Sequence, residues 1–119
     1  MAKRPQAKRL QAAFYQTDSG AEPVREWLLS LAPEDRRIVG TDIRTVELGW
    51  PIGMPVCRPL GQGLYEVRSS ISAGKVEARV YFAIDAGVML LLHHQHGKAR
   101  QADEIAAARK TLRDYRKRK

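Results

Sequence analysis

The sequence predicts a single α+β domain in which a helical hairpin packs on an antiparallel sheet. Three observations carry this expectation. Apolar residues recur at three-to-four spacing between Pro23 and Gly49, they alternate with period two between Leu64 and Ile84, and helical spacing returns after Asp103. A chain of 119 residues is long enough to bury one core but not two. No repeat, low-complexity linker or break in composition divides it, so residues 1–119 read as one unit.

The elements follow in order. Leu10–Gln16 suits a short strand, closed by the turn residues Asp18-Ser19-Gly20. Pro23 fits the first turn of a helix whose inward stripe is Val24, Trp27, Leu28 and Leu31. Pro33 restarts the chain, with Glu34 and Asp35 at the positive end of a second helix. Ile38, Ile43 and Val46 face inward there, Gly49 ends the helix and Pro51 prevents its resumption. Gly53-Met54-Pro55 and Pro59-Leu60-Gly61 punctuate a short extended piece.

From Leu64 the period changes. Tyr65, Val67 and Ile71 fall on one face, and Glu66, Arg68 and Ser70 on the other. Ser72-Ala73-Gly74 turns the chain. Val76, Ala78, Val80, Phe82 and Ile84 then form an apolar face opposite Glu77, Arg79 and Tyr81. After the turn Asp85-Ala86-Gly87, Val88–Leu92 is apolar on both faces, as in a central strand. The last helix, from about Asp103 to Arg116, turns Ile105, Ala108, Leu112 and Tyr115 inward and its bases outward. The expected order is a strand, a helical hairpin, an antiparallel meander and a basic C-terminal helix.

Formal net charge is +8, and the excess sits at the two ends. Residues 1–9 hold four bases and no acid, and residues 109–119 hold seven bases against Asp114 alone, whereas residues 10–108 carry ten bases and twelve acids. Such concentration implies a polyanion partner, RNA or DNA above all, with Arg109, Lys110, Arg113 and Arg116 of the last helix as contacts. The bland alternative, a solvated, frayed tail, applies to the last four residues, and residues 1–9 and 117–119 read as flexible ends. Met1–Leu10 has no apolar segment, so no signal peptide is expected, and Val88–Leu92 is far too short to span a bilayer. The lone Cys57 excludes an internal disulfide, fits a reducing, cytoplasmic setting and reads as a small buried hydrophobe.

The meander's register points to a site. A first turn centred on Ala73-Gly74 sets Arg68 opposite Arg79, and a second centred on Ala86 sets Arg79 opposite His93. Like charges facing each other in a sheet repel, and two arginines suit a phosphate. The structural alternative is that Glu66 and Glu77 neutralise them diagonally. The histidines, His93, His94 and His96, lie within four residues, beside Lys98 and Arg100. They supply general acids and bases for RNA cleavage by its own 2′-hydroxyl, with cations for the developing charge. Local hydrogen bonding at a strand end is the plain alternative. A metal site is disfavoured, because no cysteine or carboxylate nearby in sequence completes a ligand set. Tyr81, on the arginine face, can stack on a base, while Tyr65 and Tyr115 read as packing residues.

Leu64-Tyr65-Glu66-Val67-Arg68, then Arg79-Val80-Tyr81-Phe82, then Leu90-Leu91-Leu92-His93, with Gly53-Met54-Pro55, Arg58 and Leu60 upstream, resemble the phage-derived, HigB-like branch of the RelE toxin superfamily. The resemblance spans about residues 10–117. It implies a RelE-like fold and the toxin half of a type II toxin–antitoxin pair. Such a toxin is a ribosome-dependent mRNA endonuclease that needs no metal or other cofactor. It also implies a cognate antitoxin, often a helix-turn-helix protein, as partner beside the ribosome and mRNA. Arg68 and Arg79 match the arginines of the two strand motifs, and Lys98 matches the second lysine of the last. The chain departs from the pattern at Gln95, where phenylalanine is usual, at Gly97, where the first lysine is usual, and in lacking the Thr-Pro that leads into the helix. Proton transfer is thereby left open among His93, His94 and His96. Two alternatives stand beside the nuclease: a non-catalytic RNA- or ribosome-binding module, and a toxin-fold subunit of a DNA-binding repressor complex.

Overall fold

The computed structural model describes residues 8–98 and 100–119. Lys3 and Arg4 of the basic N-terminal segment, and Ala99, lie outside them. The elements are β1 (Gln11–Phe14), α1 (Pro23–Ser30), α2 (Pro33–Gly49), β2 (Cys57–Gly61), β3 (Leu64–Ile71), β4 (Val76–Asp85), β5 (Val88–His96) and α3 (Gln101–Lys117). The prolines at 23 and 33 open α1 and α2, where a missing N–H costs nothing.

One five-stranded sheet runs in the order β1-β5-β4-β3-β2. The meander β2 to β5 is antiparallel, as expected. β1 instead lies parallel to β5, pairing Gln11 with Val88 and Phe14 with Leu91, so the sheet is mixed. The excursion through the hairpin and meander carries the chain back beside its own start. Glu47, buried on α2, secures β1: its carboxylate accepts the Ala12 N–H at 2.7 Å and an N–H of the Lys8 ammonium at 3.2 Å. Its backbone carbonyl accepts from Arg9 and Leu10. An edge strand's outward N–H is thus satisfied within the chain.

Two apolar layers hold the sheet. On one face α1 and α2 cover Val67, Ile71, Val80, Phe82, Met89 and Leu91, with Val24, Trp27, Val39, Ile43 and Val46 facing them. On the other face α3 lays Ala108 and Leu112 on Leu64, Tyr81, Ala83, Leu90 and Leu92. Cys57 sits in the first layer, 1% exposed, and burial, then nearby Glu66, pushes its thiol up to about 11.

The first hairpin keeps the expected register, with Arg68 opposite Arg79 and Ile71 opposite Val76. The second does not. Ala86 and Gly87 both adopt positive φ, at 50° and 81°, which makes a two-residue turn that closes on Asp85 and Val88. A bulge then leaves Leu92 unpaired between Phe82–Leu91 and Tyr81–His93. Together these slip the pairing by two residues: Arg79 faces Gln95, and His93 faces Tyr81.

Candidate functional site

α3 covers only part of its sheet face. Beyond its first turn, the strands expose a cluster of charge. Arg58 of β2 pairs across to Glu66 of β3, and Arg68 of β3 faces Arg79 of β4. Glu66 is 0% exposed and central. Its oxygens lie 3.1 Å from Arg58 Nε, 3.7 Å from Arg68 Nε and 3.7 Å from Arg79 Nε. These are ion-pair distances, not directed hydrogen bonds, since all three Nε atoms are buried without a hydrogen-bond partner. Gln101, at the start of α3, donates to Glu66 Oε2 at 3.0 Å. Glu77 approaches Arg68 Nε at 2.7 Å and Arg79 Nη2 at 3.6 Å from the solvent side. Both glutamates therefore bridge the arginines, and the cluster of three bases and two acids keeps a positive balance.

Beside it opens a groove of about 710 Å³ lined by Lys75, Glu77, Arg79, Gln95, Lys98 and Gln101. Arg68 lines a separate hollow of about 330 Å³, and Glu77 and Ser70 border both. Gln95 is 3% exposed. Its amide oxygen accepts from Tyr81 Oη at 2.7 Å, and its amide nitrogen donates to the Gly97 carbonyl at 3.2 Å.

The histidines separate. His93 stays on the α3 side, one row from Arg79, with Nε2 2.8 Å from Glu104 Oε2. His94 and His96 point through the sheet to α1. His94 stacks on Trp27 at 4.9 Å with 10° between ring planes, and Trp27 Nε1 donates to His96 Nδ1 at 3.2 Å. Burial, and next the His93 charge, holds His94 below its ordinary value. Of the three histidines left open as proton carriers, His93 alone lies on the arginine face, because strand alternation sends His94 and His96 to the hairpin face. The expected row Arg68–Arg79–His93 is corrected to Arg68–Arg79–Gln95 by the two-residue turn and the bulge.

Tyr81 is likewise corrected. It is 0% exposed beneath α3, so its ring cannot stack on a base, and burial, then Glu66, raises its hydroxyl to about 12. Of the basic residues, Lys98, Arg100, Lys110, Arg113 and Arg116 are exposed. Lys110 pairs with Asp114 one helical turn on. Arg109 spends its guanidinium on the Leu60 and Gly61 carbonyls at 2.7 and 3.0 Å, clamping α3 to the β2–β3 turn. Among the C-terminal bases, Arg118 donates to Asp18 and the Gln16 carbonyl and Lys119 reaches Asp85, through side chains that stay exposed to solvent.

Sequence reasoning missed the roles of Arg58, Gln101 and Glu104. Arg58 stands next to Pro59 in an extended piece too short for alternation to signal its face. Gln101 escaped because α3 begins there, two residues before the expected start at Asp103, and Glu104, inside the expected helix, meets His93 only through the docking of α3.

Fold and site together define a small α+β domain with an arginine-rich sheet face half-closed by its last helix. The family model "Phage derived protein Gp49-like (DUF891)" matches residues 26–116, and the chain belongs to that family. That span begins on α1 and ends on α3, so it takes in the arginine face and the groove and leaves out β1. No curated protein and no solved structure matches the chain.

Proposed function

We propose that this chain is the toxin of a type II toxin–antitoxin pair, in the HigB-like branch of the RelE superfamily, and that it cuts mRNA on the ribosome in the cytoplasm. Its partner in the pair would be an antitoxin, expected to be a helix-turn-helix protein. The observation that carries the reading is the Arg68–Arg79 pair facing across β3 and β4 beside a groove that also holds Lys75 and Lys98. Adjacent arginines suit the phosphodiester chain of RNA: each guanidinium can bind a phosphate bidentately, and the one at the scissile phosphate stabilises charge that grows on it during 2′-hydroxyl attack. Arg79 holds the scissile phosphate and Arg68 a neighbouring one. Lys98 supplies a cation and a proton at the groove, and His93, on the same face, is the one histidine kept as a proton carrier. Arg100, Arg113 and Arg116 extend the basic surface along α3 for the RNA backbone. Family membership supports this reading, as does the match of Arg68, Arg79 and Lys98 to the toxin motifs.

The test is induction of the chain alone in a bacterial host against its Arg79→Ala variant, with primer extension on several messages. Arrest with cuts inside translated frames, lost in a variant that still folds, is expected. An equally toxic Arg79→Ala variant overturns the assignment. One observation favours a second reading, RNA or ribosome binding without cleavage: the residue facing Arg79 is Gln95, an amide with no titratable proton. Normal growth, uncut messages and salt-sensitive RNA binding would select it.

A further inference from the structure

Glu66 is buried where burial of a charge is costly. A carboxylate with a 0% exposed side chain is held in a sheet only when cations surround it. The same face, a few residues away, is closed at no such cost by Leu64, Ala83 and Leu90 beneath α3. Apolar residues at positions 58, 66, 68 and 79 together would extend that layer, so stability alone gives no reason for the ion cluster.

The geometry supplies one. Glu66 faces Arg58, Arg68 and Arg79 on the Nε side, the inner edge of each guanidinium, at 3.1, 3.7 and 3.7 Å, while Glu77 Oε1 lies nearer still to Arg68 Nε at 2.7 Å. A guanidinium carries five N–H donors in a rigid fork. Drawn inward on its Nε side by ion pairing, it is left with its Nη nitrogens for an outside ligand. The three side chains remain 35%, 29% and 13% exposed, while their Nε atoms are buried. Gln101 locks the second Glu66 oxygen from above. Glu77, 44% exposed, is the outer and displaceable counterion.

We propose that Glu66 is the positioning residue of the RNA site. It fixes Arg58, Arg68 and Arg79 by their inner edges and presents their outer nitrogens to consecutive phosphates of a single-stranded RNA. Arg58 thereby becomes a third phosphate ligand. This rests on the RNA reading above and assigns that site its organising residue.

The experiment measures binding of the purified full chain to a labelled single-stranded RNA, 2′-O-methylated throughout so that it cannot be cut. Affinity is followed against salt for wild type, Arg79→Ala, Arg58→Ala and Glu66→Gln, with thermal unfolding of each. Glu66→Gln is expected to fold, yet to bind at least tenfold more weakly. Arg58→Ala should weaken binding and reduce the salt slope by about 0.7, the loss of one phosphate contact. A folded Glu66→Gln that binds as well as wild type, or more tightly, overturns the proposal and leaves Glu66 a mere counterion. Should Glu66→Gln not fold, Arg58→Ala decides, and an unchanged slope overturns the three-arginine set. Wild type that fails to bind, or Arg79→Ala that binds normally, strikes the RNA reading itself. Binding that Arg79→Ala loses and Glu66→Gln keeps strikes only the role of Glu66.

Discussion

On the hairpin side of the sheet, Val67, Ile71, Ala78, Val80 and Phe82 are each no more than 1% exposed and join one apolar cluster. Their immediate neighbours on the other side are Glu66, Arg68, Arg79 and Tyr81, an ion cluster and a buried hydroxyl. The same two strands therefore carry a sealed core and a polar site back to back, separated by one step of the pleat. The difference shows where tolerance lies. The apolar face is specified by volume, whereas the polar face is specified by partners, each of which needs the others.

The comparison breaks first at Phe82. Its ring is 0% exposed, stacked on Tyr65 at 5.4 Å and edge-on to Trp50. Phe82→Ala should cost about 3–5 kcal/mol, read as a lower urea midpoint, and should take the proposed RNA binding down with the fold. On the opposite face, Arg79→Ala should remove the proposed activity while lowering the urea midpoint less than Phe82→Ala does, because Arg58 and Arg68 still compensate Glu66. Loss of fold in Arg79→Ala would erase the distinction between the faces.

Tyr81→Phe probes the boundary between the apolar and charged halves of the α3 face. It leaves the buried Gln95 amide oxygen without its donor and should cost about 1–3 kcal/mol by denaturant unfolding. The charged cluster sits one row away, so RNA affinity should change little. A large loss of affinity at unchanged stability would make Gln95 and Tyr81 part of the binding surface.

The smallest effect concerns His94 and depends on pH. Burial against Trp27 holds it below its ordinary 6.5, with His93, His96 and Glu104 as the titratable groups that act on it. As pH falls through 6.5 the unfolded chain binds this proton before the folded chain does. The stability His94 contributes is therefore complete above that value and declines below it. Urea midpoints taken on either side of 6.5 should drop toward acid in wild type, and less so in His94→Gln. An identical drop in the variant would assign the effect to the carboxylates.

Much of the architecture was legible because local chemistry and tertiary packing agree. Pro23 and Pro33 open helices for the reason that makes proline fit there, and the alternation from Leu64 to Ile84 places each residue on the expected face. Arg68 opposite Arg79 followed from turn length alone. β1 was legible as a strand but not as a parallel one, because its partner β5 lies more than seventy residues on and no local signal encodes that pairing.

The site was legible only in part. Residue types and alternation along the chain determined that a cationic face exists, and that Arg68 and Arg79 share it, since side-chain direction in a strand has a fixed period. Tertiary structure alone decided what stands beside them. A two-residue turn and one bulged leucine replaced His93 with Gln95, because each extra or missing residue shifts every later pair. The docking of α3 buried Tyr81, tied His93 to Glu104 and set Gln101 on Glu66, and these contacts join segments that only the packed core brings together.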